Sequence, residues 1–540
     1  MKIKLQGQEF EVNEVKSILE TFEVPKNAIA AIYNNQITSL KHLVHKDGEI
    51  SFITRRDRDG RIIYVRGLLY VMSKALLECY PGAWPTVNYQ LANSMFCTIE
   101  NIEVTEEVVS NIKAKMQEII DKDLDIRKVI MTQEEADAFY EKEKTLRGIL
   151  QKDIEKDKVS LYYCEDYYNY FYGTMPISTG FADLYDLEKY EDGFLLKYPS
   201  PSEPDKIQPS TSAKLKLKTA LDEYKIINKS LGLNTVYNLN TKIKQGKEKE
   251  LILFSEALHE KKIAEIANQI KARDNVKMIL IAGPSSSGKT TFAGKLGMAL
   301  RVHGIKPITI SVDNYFVERE NTPKDEFGNY DFECIEAIDT DLLNKHLVAL
   351  LNGEEIELPT FDFTEGTKKY LGNKLKLKKD EIIVMEGIHC LNDKLTPLIP
   401  KEEKFKVYIS DLTVLNVDYY NRISTTDTRL IRRIVRDNQF RNYKALHTLK
   451  MWYSVNRGEQ KYIFPYQEEA DAMFNSSLVY ELAMFRSIAI PLLEEIGPEH
   501  PECREAQRLI MLLKYFEPMD GSLIPNNALI KEFIGGSIFE

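Results

Sequence analysis

The pattern of hydrophobic and polar positions divides the chain into strand-like and helix-like stretches. At the N-terminus, KIKLQGQEFEV alternates apolar and polar residues, which is typical of strands with one buried face. VKSILETF then predicts a short helix, and GEISFI predicts a closing strand. Residues 1–54 are therefore predicted to form a compact β-β-α-β unit with a turn at NNQI.

Residues 55–200 mix helical and strand patterns, and the helix YVRGLLYVMSKALLECYPG is predicted to end at Pro81-Gly82. The Pro- and Ser-rich stretch SPSEPDKIQPSTSAK predicts a linker, followed by connecting helices to residue 272. Beyond about residue 480 the pattern predicts helices and a tail.

Between these parts, the apolar runs VKMILIA, KPITISV and EIIVMEG predict strands, and helix-prone stretches separate them. Strands that alternate with helices are typical of an α/β domain. We therefore predict, for residues 273–485, a mostly parallel sheet with flanking helices.

Composition restricts the class of protein. The chain has 540 residues, which predicts three or more domains, and its formal net charge of -10 argues against a protein that coats nucleic acid. Its six cysteines are scattered without a C-x-x-C pair, so they predict reduced thiols. The N-terminus lacks the apolar core of a signal peptide, and no apolar run is long enough for a membrane span; both favour a cytoplasmic protein.

The strongest motif is GPSSSGKTT, which follows one predicted strand and opens a helix. It fits G-x-x-x-x-G-K-[ST], whose backbone N–H groups surround a polyphosphate at a helix N-terminus. Lys289 is predicted to contact the β- and γ-phosphates of ATP, and Thr290 to ligate Mg²⁺. The predicted ATP-binding residues are Gly283, Pro284, Ser285, Ser286, Ser287, Gly288, Lys289, Thr290 and Thr291.

Two carboxylates follow predicted strands of the same domain. Asp313 follows KPITISV, and Glu386 ends EIIVME. Strand C-termini face the ligand crevice of an open α/β sheet, so Asp313 is the candidate general base and Glu386 a candidate magnesium ligand. For either residue, the alternative is a helix cap or a surface acid.

Arginines recur in DTRLIRRIVRDNQFR at helical spacing. Arg429, Arg432, Arg433 and Arg436 lie three, four and seven residues apart and are predicted to share one helix face. Such a face suits a phosphoryl group, which predicts a lid over ATP. The alternative is a solvated face in which these arginines pair with neighbouring aspartates.

AGPSSSGKTTFA, SVDNYF, PTFDF, EGIHCLN and DTRLIRRIVRD together resemble the uridine kinase and phosphoribulokinase-like P-loop kinases, over about residues 275–485. The resemblance implies a magnesium-dependent transfer from ATP to a nucleoside 5'-hydroxyl, with uridine as the leading acceptor. It implies that Asp313 is the catalytic aspartate and that Asp331 holds the ribose hydroxyls. The remaining residues it implies at the acceptor and the phosphates are Tyr315, Phe361, Arg433, Arg436 and Arg441.

The chain departs from this family where the base is recognised. In related kinases a Tyr and a His contact the pyrimidine, but Phe361 and Gly366 stand at those positions. A site without these hydrogen-bonding groups discriminates less between bases. Two alternatives stay open: a kinase for another small hydroxyl compound such as a sugar phosphate, and an RNA- or ribosome-associated regulatory ATPase.

The front half carries two further resemblances. Residues 1–54 resemble the β-grasp TGS domain, and residues 55–200 resemble the α+β second additional domain of threonyl-tRNA synthetase. Where that family binds a metal in an editing site, this chain has Arg66, Tyr70, Phe171 and Met175, which are not a zinc ligand set. We therefore expect a scaffold for packing or partner recognition, and the sequence leaves both RNA binding and a homo-oligomer open.

Overall fold

The first five strands form one sheet around a short helix. The computed structural model describes residues 1–132, 134–136, 138, 158–200, 203–209, 215–326, 328–362 and 365–539. Sheet order is β2-β1-β5-β3-β4, with β1 and β5 parallel, and the NNQI turn has positive φ at Asn34 and Asn35, as tight hairpins require. The elements are β1 (Lys2–Leu5), β2 (Gln8–Glu11), α1 (Ile18–Thr21), β3 (Ala28–Tyr33), β4 (Gln36–Thr38) and β5 (Gly48–Thr54).

A long buried helix organises the next part. Two antiparallel sheets, of order β11-β12-β7-β6 and β10-β9-β8, accompany it, and the helix ends at Cys79 just before Pro81-Gly82, as predicted. The elements are α2 (Arg58–Cys79), β6 (Trp84–Leu91), β7 (Ser94–Glu100), α3 (Glu106–Asp121), β8 (Arg127–Met131), β9 (Val159–Cys164), β10 (Tyr167–Asn169), β11 (Asp186–Tyr190) and β12 (Gly193–Lys197).

Three helices then lead into the third part: α4 (Leu215–Ser230), α5 (Val236–Lys244) and α6 (Glu248–Lys271). Residues 210–214 of the predicted linker lie outside the described residues. The helices themselves are not a free connection, because Leu239 and Ile263 are buried in the same core as Phe292 of the following domain. The apolar faces of α5 and α6 are covered by that domain, whereas Leu217 and Leu221 of α4 pack with apolar residues of β6, β7 and β12.

The third part contains a fully parallel five-stranded sheet of order β14-β17-β13-β18-β19, which confirms the predicted P-loop kinase fold. Its central strands are buried along their whole length because helices cover both faces. The elements are β13 (Met278–Ala282), α7 (Lys289–Val302), β14 (Lys306–Ser311), α8 (Thr340–Leu351), β15 (Glu355–Asp362), β16 (Thr367–Lys376), β17 (Glu381–Glu386), β18 (Lys404–Ser410), α9 (Thr425–Arg441), α10 (Ala445–Tyr462) and β19 (Ala472–Asn475).

The chain ends in helices that pack back onto this domain: α11 (Glu481–Glu494), α12 (Cys503–Leu513) and α13 (Lys531–Ile534). The predicted tail is part of the core, because Leu529, Ile530 and Phe533 are buried with the apolar residues of α9 and α11. Across the described residues, no helix combines the length and the hydropathy that a membrane span needs.

Candidate functional site

Strand register brings the predicted phosphate and carboxylate residues to one edge of the parallel sheet. Glu386 at the end of β17 is paired with Ser311 of β14 on one side and with Ile281 of β13 on the other. The chain therefore leaves β13 into the GPSSSGKTT loop, and leaves β14 towards Asp313, directly beside Glu386. This edge is where open α/β sheets bind ligands.

Two glycines shape the loop between β13 and α7. A Cβ atom on Gly283 would lie 2.0 Å from the Ile409 carbonyl oxygen, so only glycine fits beside β18. Gly288 has φ +87° and is the N-cap of α7. The loop therefore presents backbone N–H groups at the start of a helix, the arrangement that binds phosphate.

Polar side chains of the loop remain available for a ligand. The hydroxyl oxygens of Ser286 and Ser287 are buried without a hydrogen-bond partner among the described residues. Lys289 Nζ donates to the Gly283 and Pro284 carbonyl oxygens at 3.0 and 3.1 Å, which holds the ammonium over its own loop. Buried orphan hydroxyls are costly, which favours a site built for a polar ligand.

The predicted magnesium residues are adjacent. Thr290 Oγ1 donates to Glu386 Oε1 at 3.4 Å, and burial raises the pKa of Glu386 above its ordinary value. No group of three or more His, Cys, Asp or Glu side chains is arranged to hold a metal within the described ranges. Mg²⁺ is held by one or two carboxylates together with substrate phosphates, so a hydroxyl and a carboxylate at a phosphate loop fit it.

Asp313 lies in the turn after β14, at the mouth of this cleft. Surrounding protein raises its pKa, and the nearby charges of Lys289 and Arg441 oppose that shift. The alternative reading as a cap is not supported, because the Ser311 hydroxyl caps the turn by accepting from the Asp313 N–H. Asp313 is exposed, and it lies near enough to Lys289 and Arg441 for their charges to act on its carboxylate.

The arginine helix α9 does not form one lid face. Arg429 and Arg432 are buried, and the lid prediction is wrong for both. Glu459 of α10 accepts from Arg429 Nη1 and Nη2 at 2.5 and 2.8 Å, and Glu481 accepts from Arg432 Nε at 2.6 Å. These arginines attach α9 to α10 and α11 because buried charges need partners.

The other arginines gather around Asp437, as the paired-face alternative expected. Asp437 contacts Arg433 at 3.2 Å, Arg436 at 3.3 Å and Arg441 at 3.4 Å. Arg433 Nη1 also donates to the Ser285 hydroxyl at 2.9 Å. The Asp437 carboxylate therefore holds the three guanidinium groups together, and Arg433 brings this cationic cluster into contact with the phosphate loop, where it suits phosphate oxygens.

Asp331, the residue predicted to hold the ribose hydroxyls, has partners that the sequence did not predict. Tyr462 Oη donates to Asp331 Oδ2 at 2.9 Å, and the Glu333 N–H donates to Oδ1 at 3.1 Å. Burial raises the pKa of Glu333 to about 7, and the charge of Glu459 adds to this rise. The charges of Arg433 and Lys289 oppose it. Glu333 therefore lies between the phosphate loop and Asp331.

Two predicted acceptor residues have different surroundings. Tyr315 is buried, and its hydroxyl lies 3.1 Å from His346 Nδ1, so the prediction that it contacts the acceptor is not supported. Phe361 packs on Phe316 with ring centroids 5.6 Å apart. At Gly366 a Cβ atom would lie 2.7 Å from the Arg319 side chain, so Arg319 occupies the space of a larger residue there.

Sequence reasoning missed Glu333, Glu459 and Tyr462. Glu459 and Tyr462 are three residues apart on α10 and share a face, which helical spacing alone reveals. That spacing does not say which surface the face contacts. Glu459 also accepts from the Ser285 N–H at 2.9 Å, so α10 connects the phosphate loop to Asp331.

Comparisons with known proteins agree with this geometry. Residues 278–482 match the model of the Phosphoribulokinase / Uridine kinase family. A uridine kinase of Halobacterium salinarum is 28% identical over 216 residues, which cover 40% of this chain and 84% of the kinase. A uridine kinase of Ligilactobacillus salivarius is 30% identical over 201 residues, which cover 37% of this chain and 85% of the kinase.

A second kind of relative is a threonine–tRNA ligase of Aquifex aeolicus, 29% identical over 197 residues. That match covers 35% of this chain but only 31% of the ligase. It suggests an additional domain in the N-terminal part, ahead of the kinase domain.

Proposed function

The chain belongs to the phosphoribulokinase/uridine kinase family through its C-terminal domain, and from this premise we propose that it transfers a phosphoryl group from ATP to a nucleoside 5'-hydroxyl. Uridine is the leading acceptor, giving UMP and ADP. One observation carries the proposal: strand register brings the phosphate loop, Glu386 and the turn that holds Asp313 to one edge of the sheet.

In this proposal the loop from Gly283 to Thr291 binds the triphosphate, and Thr290 and Glu386 hold Mg²⁺. When bound there, Mg²⁺ would neutralise charge on the β- and γ-phosphates. The acceptor oxygen bonds to the γ-phosphorus while the bond to the β-phosphate oxygen breaks, and Asp313 takes the hydroxyl proton. Lys289 and the arginines around Asp437 stabilise the charge that develops on the phosphoryl oxygens.

The acceptor would lie against Asp331, with its ribose hydroxyls donating to the carboxylate that Tyr462 holds. Phe332 follows Asp331, is 41% exposed, and its ring centroid lies 6.5 Å from that of Phe316, which in turn packs on Phe361. These rings offer an apolar surface for a flat base. Because Phe361 and Gly366 bring no side-chain hydrogen-bonding group, we expect weak discrimination between bases.

A coupled ADP-release assay with the full chain, magnesium and a panel of nucleosides and sugars tests this function. We expect turnover with uridine and at least one other nucleoside, and none with sugar phosphates. Turnover with a sugar phosphate and with no nucleoside would replace our proposal by the alternative small-molecule kinase.

For the front half we propose a TGS-like domain in residues 1–54 and a synthetase-like domain in residues 55–200 that recognises a partner. The ligase relative favours an RNA partner, and hence an RNA-associated regulatory ATPase as the second candidate function. That candidate predicts RNA binding that weakens steeply with salt and ATP turnover that no small acceptor stimulates. The net charge of -10 counts against it.

A further inference from the structure

We propose that Glu532 competes with ATP for the GPSSSGKTT loop. Its carboxylate accepts a hydrogen bond from a backbone N–H of this loop that would otherwise bind a phosphate. Glu532 belongs to the C-terminal segment, residues 525–539, which lies beyond the matched kinase region. The inference rests on the proposed function only in taking this loop as the ATP site.

The contact is direct. Glu532 Oε2 accepts from the Thr291 N–H at 3.0 Å. Thr291 is the third residue of α7, and the first N–H bonded within the helix is that of Phe292, to the Gly288 carbonyl oxygen at 3.0 Å. The Thr291 N–H is therefore one of the free helix-end donors that a nucleotide phosphate uses in such a loop.

The segment that carries Glu532 is anchored at both sides of this contact. A Cβ atom on Gly288 would lie 2.7 Å from Leu529, and one on Gly294 would lie 2.6 Å from Phe539, so both side chains rest on glycines of the loop and α7. Phe533 is buried, with the Arg432 guanidinium 5.1 Å from its ring centroid. Only the Glu532 side chain, and not the segment, needs to move when a phosphate arrives.

The charges around Glu532 agree with a phosphate-like position. Burial lowers the pKa of Arg436, one of the arginines around Asp437, and the Glu532 carboxylate is among the charges that oppose this shift. A carboxylate that faces Arg436 and the same N–H as a phosphate repels an incoming triphosphate until it rotates away.

The consequence is a weakened affinity for ATP, since binding must first break a hydrogen bond to a charged acceptor. Such bonds correspond to roughly a ten-fold or larger change in an equilibrium constant. The protein would therefore fill with nucleotide only at higher ATP concentration than a kinase without this residue.

The test is calorimetric titration of the full chain with Mg-ATP, using Glu532→Gln and, as a matched control on the same helix, Lys531→Gln. We expect Glu532→Gln to bind ATP about ten-fold more tightly and Lys531→Gln to bind like the unaltered chain. Without ligand, Glu532→Gln should melt at a slightly lower temperature, because the N-terminus of α7 loses a capping carboxylate. Glu532→Asp, whose shorter side chain keeps the charge, should bind with intermediate affinity.

Unchanged or weaker ATP binding by Glu532→Gln would overturn the inference. A Lys289→Ala titration separates that result from a failure of the proposed function. If Lys289→Ala no longer binds ATP while Glu532→Gln binds it with unchanged affinity, the loop is the ATP site and only the proposed role of Glu532 is wrong. Absence of ATP binding in the unaltered chain and in Glu532→Gln would overturn both.

Discussion

The cleft at the phosphate loop and the cluster around Tyr70 in the front half differ in how their polar groups are satisfied. In the front half, Tyr70 Oη donates to the Tyr162 carbonyl oxygen at 3.0 Å, and Arg66 Nη1 donates to the Thr174 carbonyl oxygen at 2.6 Å. Tyr70 also packs on Phe171, with ring centroids 6.0 Å apart. This cluster has internal partners for its polar atoms, as a packed scaffold requires.

In the cleft, by contrast, two hydroxyl groups of the phosphate loop lack such partners within the part of the chain that the structure describes. The Ser286 and Ser287 hydroxyls are orphaned among the described residues, and the pKa values of Asp313, Glu386 and Glu333 are all raised. Groups held in this way cost folding free energy. We infer from this difference that the cleft, and not the Tyr70 cluster, is built to receive a polar ligand.

We expect the largest effect on turnover from Asp313→Asn, which removes the predicted general base of the cleft. Loss of the general base should lower turnover by about a hundred- to ten-thousand-fold, or roughly 3 to 5 kcal/mol of barrier, while ATP binding persists. Turnover, ATP affinity and melting temperature measured on this variant decide the role. Turnover within a few-fold of the unaltered chain would remove Asp313 as the base.

The raised pKa of Asp313 also fixes the direction of two pH effects. Activity should fall as pH falls through a value above the ordinary 3.8 of an aspartate, because the base becomes protonated. A raised carboxyl pKa stabilises the fold at low pH and loses that contribution as pH rises through it. At pH 7 we therefore expect Asp313→Asn to melt no lower than the unaltered chain.

Two lysines of α7 provide a comparison within one helix. Lys289→Ala should lower turnover by about a hundred- to a thousand-fold with little change in melting temperature, because its ammonium serves the phosphates. Lys295 is buried and paired with Glu256 and Glu260 at 3.3 and 2.8 Å. Lys295→Ala should instead lower the melting temperature, since it leaves Glu256 without its ion partner. Equal effects of both substitutions on stability would contradict this division.

The sheet edge was predictable because its residues are local to strand ends. Gly283, Asp313 and Glu386 each follow an apolar run, and parallel strands bring such ends together whatever the rest of the chain does. The P-loop kinase fold follows from the same runs and the helices between them.

The arginine helix and the C-terminal segment could not be predicted in this way. The spacing of Arg429 and Arg432 shows that they share a face, but their partners Glu459 and Glu481 lie 30 and 49 residues further along the chain. Glu532 is 241 residues from Thr291. No local pattern reveals which distant carboxylate will enter a site, because that depends on how whole helices pack.

Tyr462→Phe should have a smaller effect, on acceptor binding, and it tests the proposed role of Asp331. The hydroxyl holds Asp331, and a neutral donor to a carboxylate contributes about 1.5 to 3 kcal/mol. We expect the acceptor KM to rise about ten-fold or more, with ATP binding unchanged. Tyr453→Phe, an exposed tyrosine on the same helix, is the control. A fall in kcat without a change in KM would mean that Tyr462 does not act through acceptor binding.

We expect the smallest effect in the front half, where treatment with a chelator should not change the melting temperature. Arg66 is always protonated at neutral pH, and Tyr70, Phe171 and Met175 are aromatic or thioether groups, so the four cannot form a tetrahedral zinc site. Elemental analysis of the purified chain should show no stoichiometric zinc, and a chelator should leave its melting temperature unchanged. Tyr70→Phe, in contrast, should cost about 1 kcal/mol of stability through the lost hydrogen bond to the Tyr162 carbonyl oxygen, with turnover intact. One equivalent of tightly held zinc would show that this cluster binds a ligand after all, and would break the distinction between the two regions.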